Sequence, residues 1–186
     1  MKKALLLGCI LLFLNACTKS PQKVVPIKVV PIIEWTDKIV TQYPNCHSNE
    51  LIEKIVMDSA SNYSKRFIGN EATILEGVDF KFVRIVENKD SFAVFFDAQN
   101  CYSDIEYKQG DNKYIRTDII IRVLGKVDKT TASKLSEDKS YNISGTVHEW
   151  DKEDRFFISS SSFDKIDFGT FILNKDIEIK EVKDEQ

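Results

Sequence analysis

The sequence predicts a mainly β fold of the α+β class, an OB-like barrel of five to six strands in Greek-key order, preceded by one amphipathic helix. Apolar residues recur at helical spacing over residues 49–67. From Gly77 onward they recur at strand spacing, in short segments separated by polar turns. We therefore divide the chain into an export signal (1–16), a tether (17–47), a helix (48–70) and the barrel (71–186).

The first 16 residues are typical of an export signal. Lys2 and Lys3 form a positive head, and an apolar run follows from Ala4 to Leu14. This run is about half of the roughly 20 residues that a membrane-spanning helix needs. We therefore expect a cleaved signal rather than a permanent transmembrane segment.

The end of this signal, Leu14-Asn15-Ala16-Cys17, resembles the lipobox of bacterial lipoproteins. The resemblance implies that Cys17 is acylated and becomes the first residue of the mature protein, which two or more acyl chains hold stably on a membrane. Because Thr18 rather than Asp follows, we expect the outer membrane if the host is Gram-negative. A plain secretory signal with an incidental cysteine is the alternative.

The composition limits which classes of partner we expect for the mature chain. Loss of Lys2 and Lys3 with the signal changes the formal charge from −3 to −5. Nucleic-acid-binding domains usually carry a basic surface, so nucleic acid is a poor candidate partner. Cys46 and Cys101 remain as an even pair in an exported protein, which predicts a disulfide, with two buried free thiols as the alternative.

Residues 18–34 are predicted to be an extended tether. Val24-Val25-Pro26-Ile27-Lys28 is nearly repeated by the five residues that begin Val29-Val30-Pro31-Ile32, and proline disfavours a helix. A strand added to the edge of the domain is the alternative. The helix that follows, 49–67, has Leu51, Ile55, Ser59, Tyr63 and Phe67 on one stripe, which we expect to pack on the core.

The predicted strands follow in order. The first, 79–87, shifts its alternation between Phe82 and Val83, which predicts a bulge. A polar turn at residues 88–90 leads to the second strand. The later elements are strand 114–124, a short helix in 129–136, strand 141–149, a charged turn at 151–154, a hairpin partner at 155–159, and a final strand with Phe171, Leu173, Ile177 and Ile179 on one face.

A bent first strand and a short helix between the third and fourth strands are typical of an OB-fold. The segments Ile119-Ile120-Ile121-Arg122-Val123-Leu124, Tyr141-Asn142-Ile143-Ser144-Gly145-Thr146-Val147 and Gly169-Thr170-Phe171-Ile172-Leu173 resemble bacterial envelope lipoproteins with a tRNA-anticodon-like OB domain. The resemblance covers roughly residues 75–182 and implies a fold but no functional residue. The stretch 163–168 departs from the pattern.

No catalytic constellation is evident, and we expect no enzyme, cofactor or metal site. His47 and His148 lack the partners that a zinc site needs. Asp151, Glu153 and Asp154 could form a calcium site, although a solvated turn is the simpler interpretation. Strand alternation places Phe95 and Arg122 on the outer face, with Trp150 at the rim, and these three are the candidate ligand-binding residues. The alternative is that the helix covers Phe95.

These observations favour a lipid-anchored, non-catalytic module that binds an envelope protein or polymer. An atypical envelope hydrolase or nuclease-like OB protein is the alternative function, and nucleic-acid binding is a third.

Overall fold

Helices precede and cover a large sheet in the computed structural model, which describes residues 29–44, 46, 49–88, 91–109, 113–152, 165–174 and 176–183. Helix α1 is Pro31–Gln42, α2 is Glu50–Lys65, and the short α3 is Lys129–Ala132. The strands are β1 (Asp79–Asn88), β2 (Ser91–Gln99), β3 (Tyr102–Gln109), β4 (Lys113–Val127), β5 (Ser140–Ser144), β6 (Val147–Asp151), β7 (Lys165–Leu173) and β8 (Glu178–Glu181).

The strands form one sheet that curls into a half-barrel, which confirms the mainly β prediction at this level. Their order is β6-β7-β4-β2-β1-β5-β8, and β3 pairs with the first part of β4. The β4–β7 pair is parallel, and the other described pairs are antiparallel.

The β1–β2 hairpin contains the predicted bulge. Its register runs from Asp79 opposite Gln99 to Asn88 opposite Ser91, with a shift between Phe82 and Arg84. The alternation slips in the sequence at the same place because one extra residue reverses the faces of all that follow. The tip of the predicted turn, residues 89 and 90, lies outside the described residues.

The core lies on the inner face of the sheet, where the two long helices meet β7. Trp35 of α1 stacks on Tyr63 of α2 with their ring centroids 5.1 Å apart, and both rings pack edge-on against Phe168. The hydroxyl of Ser64 donates to the Phe168 carbonyl at 2.9 Å. The largest fully buried aromatic side chains of this core are Phe80, Phe96, Phe168 and Phe171.

The prediction of an extended tether is wrong for the segment that forms α1. Pro31 occupies the first turn of the helix, where its missing N–H costs no hydrogen bond and its fixed φ suits the helix. Ile32 and Val40 are buried, and Asp37 accepts hydrogen bonds from the Ser103 hydroxyl at 2.5 Å and from the Asp104 N–H at 3.1 Å. Residues 31–42 therefore belong to the folded domain, and the alternative of an edge strand is also wrong for them.

Helix α2 forms as predicted and packs on the core, but the first part of the predicted stripe is exposed. The Asn49 side chain caps its start by accepting from the N–H groups of Leu51 and Ile52. Leu51 and Ile55 are 69% and 40% exposed, while Val56 and Ala60 are buried. The face that packs on the core combines Tyr63 and Phe67 of the predicted stripe with the neighbouring Val56 and Ala60.

Two predicted strands are each divided in the structure. The segment 141–149 ends as β5 at Ser144 and resumes as β6 at Val147, beside different neighbours. The N–H of Ala72 donates to the Gly145 carbonyl, and the N–H of Thr146 donates to Asp176, so the chain turns between these strands.

The predicted final strand is likewise β7 followed by β8, and β7 includes residues 165–168 of the stretch that seemed irregular. Strand β3 was not predicted, because its charged residues interrupt the apolar alternation that indicates a strand. The predicted two-turn helix is the shorter α3, with its start capped by Asp128. The predicted strand 155–159 lies outside the described residues.

Candidate interaction surface

Phe95 and Arg122 lie together on the outer face of the sheet, as strand alternation predicts. Phe95 is opposite Leu124 and Asp97 is opposite Arg122, so the two side chains are diagonal neighbours on β2 and β4. Their neighbours Val94, Phe96 and Val123 belong to the core on the inner face. The structure thus brings together two of the three candidate ligand-binding residues.

Phe95 is not the exposed aromatic that the sequence analysis expected, because it is only 3% exposed. The guanidinium carbon of Arg84, which is opposite Phe95 on β1, lies 4.5 Å from the ring centroid. Helix α2 does not cover Phe95, contrary to the alternative, because it packs mainly against β7. The group over the ring is the guanidinium of Arg84. A cation in this position uses the negative face of the ring.

Arg122 is also buried, contrary to the expectation of an outward cation. Its Nη1 and Nη2 donate to the two carboxylate oxygens of Asp167, at 3.1 and 2.8 Å. Within β7, Asp167 also accepts the N–H of Gly169 at 2.7 Å, at the point where the register between β4 and β7 shifts. Bidentate pairing with a carboxylate is strong and geometrically specific. The arrangement therefore fastens the parallel strand pair β4–β7 rather than presenting a charge to a ligand.

Trp150 belongs to a different part of the molecule. It lies on β6, separated from β4 by β7. Its indole N–H donates to the Phe168 carbonyl at 2.7 Å, and the ammonium of Lys65 on α2 lies 5.4 Å from its ring centroid. Trp150 thus joins β6, β7 and α2, and it does not form a common site with Phe95 and Arg122.

The candidate metal ligands are not assembled in the described part of the chain. Asp151 is buried beside Thr170, so it is not part of a solvated turn, and His148 is exposed. Glu153, Asp154 and His47 lie outside the described residues. Over the described ranges, no group of three or more His, Cys, Asp or Glu side chains could hold a metal ion.

No disulfide joins Cys46 and Cys101 in the structure. Cys46 is buried, and Cys101 packs against the same core. Burial raises the pKa of the Cys101 thiol to about 12, which keeps it protonated at neutral pH. Their disulfide stays a prediction, and Cys17 with its predicted acylation lies outside the described residues.

Three accessible apolar side chains lie close together on β1. Val83, Ile85 and Val86 are 36%, 41% and 47% exposed. β1 pairs with β2 throughout, whereas β5 pairs only with Phe80 and Lys81. Among the described strands, residues 84–88 of β1 therefore pair with β2 and not with β5. The clue in the sequence was the phase slip, which puts apolar residues on both faces.

Comparison with known proteins adds no assignment: no protein-family model matches the chain, and no curated protein is significantly similar to it. Within the described residues, no helix is both long enough and apolar enough to cross a membrane.

Proposed function

We propose that this chain is a bacterial envelope lipoprotein whose folded domain acts as a non-catalytic interaction module at the membrane surface. The observation that carries the proposal is the sequence Leu14-Asn15-Ala16-Cys17, directly after a charged and apolar export signal. Acyl chains on Cys17 would hold the mature protein on the membrane. The position of α1 adds a limit on reach, because only residues 18–30 separate that cysteine from the first helix. Fully extended, they span at most about 45 Å.

We infer further that the barrel is of the tRNA-anticodon-like OB type. The strands β1, β2, β4 and β5 are arranged in space as β5-β1-β2-β4, which is the order of a Greek key. A short helix precedes the strand that returns beside the first one, and β1 is bent by a bulge. These features support an OB assignment.

The proposed partner is an envelope protein or an envelope polymer. OB domains usually bind across their second and third strands, which correspond to β2 and β4. Here the most prominent groups on those strands are already engaged, because Phe95 is covered by Arg84 and Arg122 is paired with Asp167. The exposed apolar residues of β1 therefore offer the better contact surface. The charge of −5 on the mature chain speaks against nucleic acid.

Mass spectrometry of the mature N-terminus tests the anchor. We expect a chain that begins at an acylated Cys17, and a Cys17→Ser variant that is neither processed at that site nor recovered with membranes. Processing and membrane recovery that the substitution leaves unchanged would refute the anchor.

Crosslinking in intact envelopes followed by affinity capture tests the interaction module, and failure to recover any specific partner would contradict it. For the alternative of a hydrolase or nuclease, a panel of envelope substrates is the direct assay. Sustained turnover that is lost in an Asp151→Asn or Glu153→Gln variant would replace the binding proposal with catalysis.

A further inference from the structure

We infer that the end of the domain where α1 begins and α2 ends lies against the phospholipid surface that carries the anchor. The inference deepens the proposed function and rests on it, because it names the first surface that an acylated chain meets. We call this region the α1–α2 end and define it by Val29, Trp35, Tyr63 and residues 65–68. Protein surfaces that contact bilayers combine exposed apolar side chains, aromatic rings and cations.

The two helices bring these residues to one end of the molecule. Trp35, near the start of α1, stacks on Tyr63 at a ring-centroid distance of 5.1 Å, and Tyr63 contacts Phe67 edge-on at 5.5 Å. Burial raises the pKa of the Tyr63 phenol, and the charges of Arg66 and Glu34 act on the same group. The start of α1 therefore adjoins the end of α2.

The accessible groups of the α1–α2 end are apolar and cationic. Val29, which lies two residues before α1, is 63% exposed, and Ile68, just after α2, is 45% exposed. Lys65 and Arg66 are exposed and directly precede the half-buried Phe67. The sequence Lys-Arg-Phe-Ile thus places two cations beside two apolar side chains.

The charge of this end differs from that of the whole chain. Residues 62–70 contain two cations and no acidic residue, although the mature chain has a formal charge of −5. Glu34 is the acidic residue in the first turn of α1, and its carboxylate accepts from the Lys38 ammonium at 2.7 Å. An anionic bilayer would therefore attract this end and repel much of the remaining surface.

The turn that carries Ile68 is fixed to the sheet and open on its outer side. The N–H of Gly69 donates to the Val147 carbonyl at 2.7 Å, and the N–H of Val147 donates to the Asn70 carbonyl at 3.0 Å. In the described part of the chain, no atom lies within 4 Å of a Cβ added at Gly69. The turn can therefore meet a flat surface without rearrangement of its backbone.

The tether identifies the bilayer as the occupant of this surface. Residues 18–30 span at most about 45 Å and enter the domain at the start of α1. The Glu34 N–H donates to the Val30 carbonyl at 3.0 Å, so the point of entry is fixed to the helix. The anchor therefore keeps the α1–α2 end at a high effective concentration near the lipid.

Quenching by lipids with brominated acyl chains tests the contact. The mature lipoprotein is placed on vesicles of phosphatidylethanolamine and phosphatidylglycerol, with a fluorophore on Ile68→Cys or on the matched control Leu51→Cys. Leu51 is 69% exposed at the other end of α2, a helix about 24 Å long. We expect quenching about twofold or more stronger at position 68 than at position 51. The labelled wild-type chain reports any background from Cys46 and Cys101.

A matched pair of double variants, each with the fluorophore on Val29→Cys, completes the test. Arg66→Glu/Ile68→Asp removes a cation and an apolar side chain from the α1–α2 end, and we expect about half or more of the quenching at position 29 to be lost. Lys54→Glu/Leu51→Asp makes the same chemical changes near the start of α2 and is expected to leave quenching unchanged. Circular dichroism confirms that each variant folds.

Equal quenching at positions 51 and 68 would overturn the inference. It would also be overturned if the two double variants had the same effect, or if Ile68→Cys crosslinked in intact envelopes to a protein instead of being quenched by lipid. The intact mass of the same preparation reports acylation. An acylated chain without quenching at position 68 therefore refutes only the membrane contact, whereas a chain without acyl groups refutes the anchor.

Discussion

Replacing Gly169 by alanine is the sharpest test of how β7 is built. Gly169 has φ +79°, and its N–H donates to Asp167, the partner of Arg122. A Cβ atom there would lie 2.6 Å from the carbonyl oxygen of Asp151 and 2.9 Å from the indole nitrogen of Trp150. Gly69 has the same φ of +79°, but nothing lies within 4 Å of its added Cβ. The two substitutions therefore share the backbone strain and differ in the steric clash.

The left-handed conformation costs an alanine about 1–2 kcal/mol, which is the whole effect expected for Gly69→Ala. Overpacking adds about 1–3 kcal/mol for Gly169→Ala, since a backbone carbonyl cannot rotate away as a side chain can. For a domain of this size, that difference lowers Tm by about 2–12 °C. Urea unfolding followed by tryptophan fluorescence measures both variants. Free energies of unfolding that agree within about 0.5 kcal/mol would refute the steric argument.

Three further predictions follow from named contacts. Asp167→Ala should destabilise the domain by about 3–5 kcal/mol. Arg122→Met should lower the free energy of unfolding less, because the Arg122 side chain that loses Asp167 is 4% exposed, whereas the Asp167 side chain that loses Arg122 is 25% exposed. Equal losses in urea unfolding would contradict this. Asp37→Ala should lower the free energy of unfolding by about 1–3 kcal/mol and speed amide hydrogen exchange in α1. Unchanged protection of these amides would show that the carboxylate does not hold the helix in place. Because the pKa of the Cys101 thiol is raised to about 12, we expect it to be alkylated slowly at pH 8 and faster as the pH rises toward 12. Rapid labelling of the folded chain at pH 8 would contradict this. Mass analysis without reductant distinguishes a slowly reacting thiol from a disulfide with Cys46.

Local periodicity was sufficient for much of the sheet. Alternating apolar residues predicted the β1–β2 hairpin, and the phase slip located its bulge between Phe82 and Arg84. These features are visible in the sequence because each depends on neighbouring residues. β3 could not be found in this way, since its polar residues follow no alternation and its strand character depends on pairing with β4.

The candidate ligand-binding residues show where periodicity stops being informative. Alternation assigned Phe95 and Arg122 to the correct face, but it could not say what covers that face. The groups that cover them are Arg84 on the neighbouring strand and Asp167, which is 45 residues from Arg122 along the chain. Such long-range pairing is a tertiary property, so the same pattern describes an exposed ligand contact and a buried structural one.

The error at α1 has a physical consequence for any membrane-anchored form of the chain. A tether of residues 18–47 could extend about 100 Å, whereas residues 18–30 reach at most about 45 Å. Pro31 permits the shorter tether because it begins a helix instead of breaking one, and Asp37 then fastens that helix to β3. Anchored copies would share a layer less than half as thick, so their local concentration would be roughly twice as high. Any weak contact between anchored copies would gain from that confinement in direct proportion.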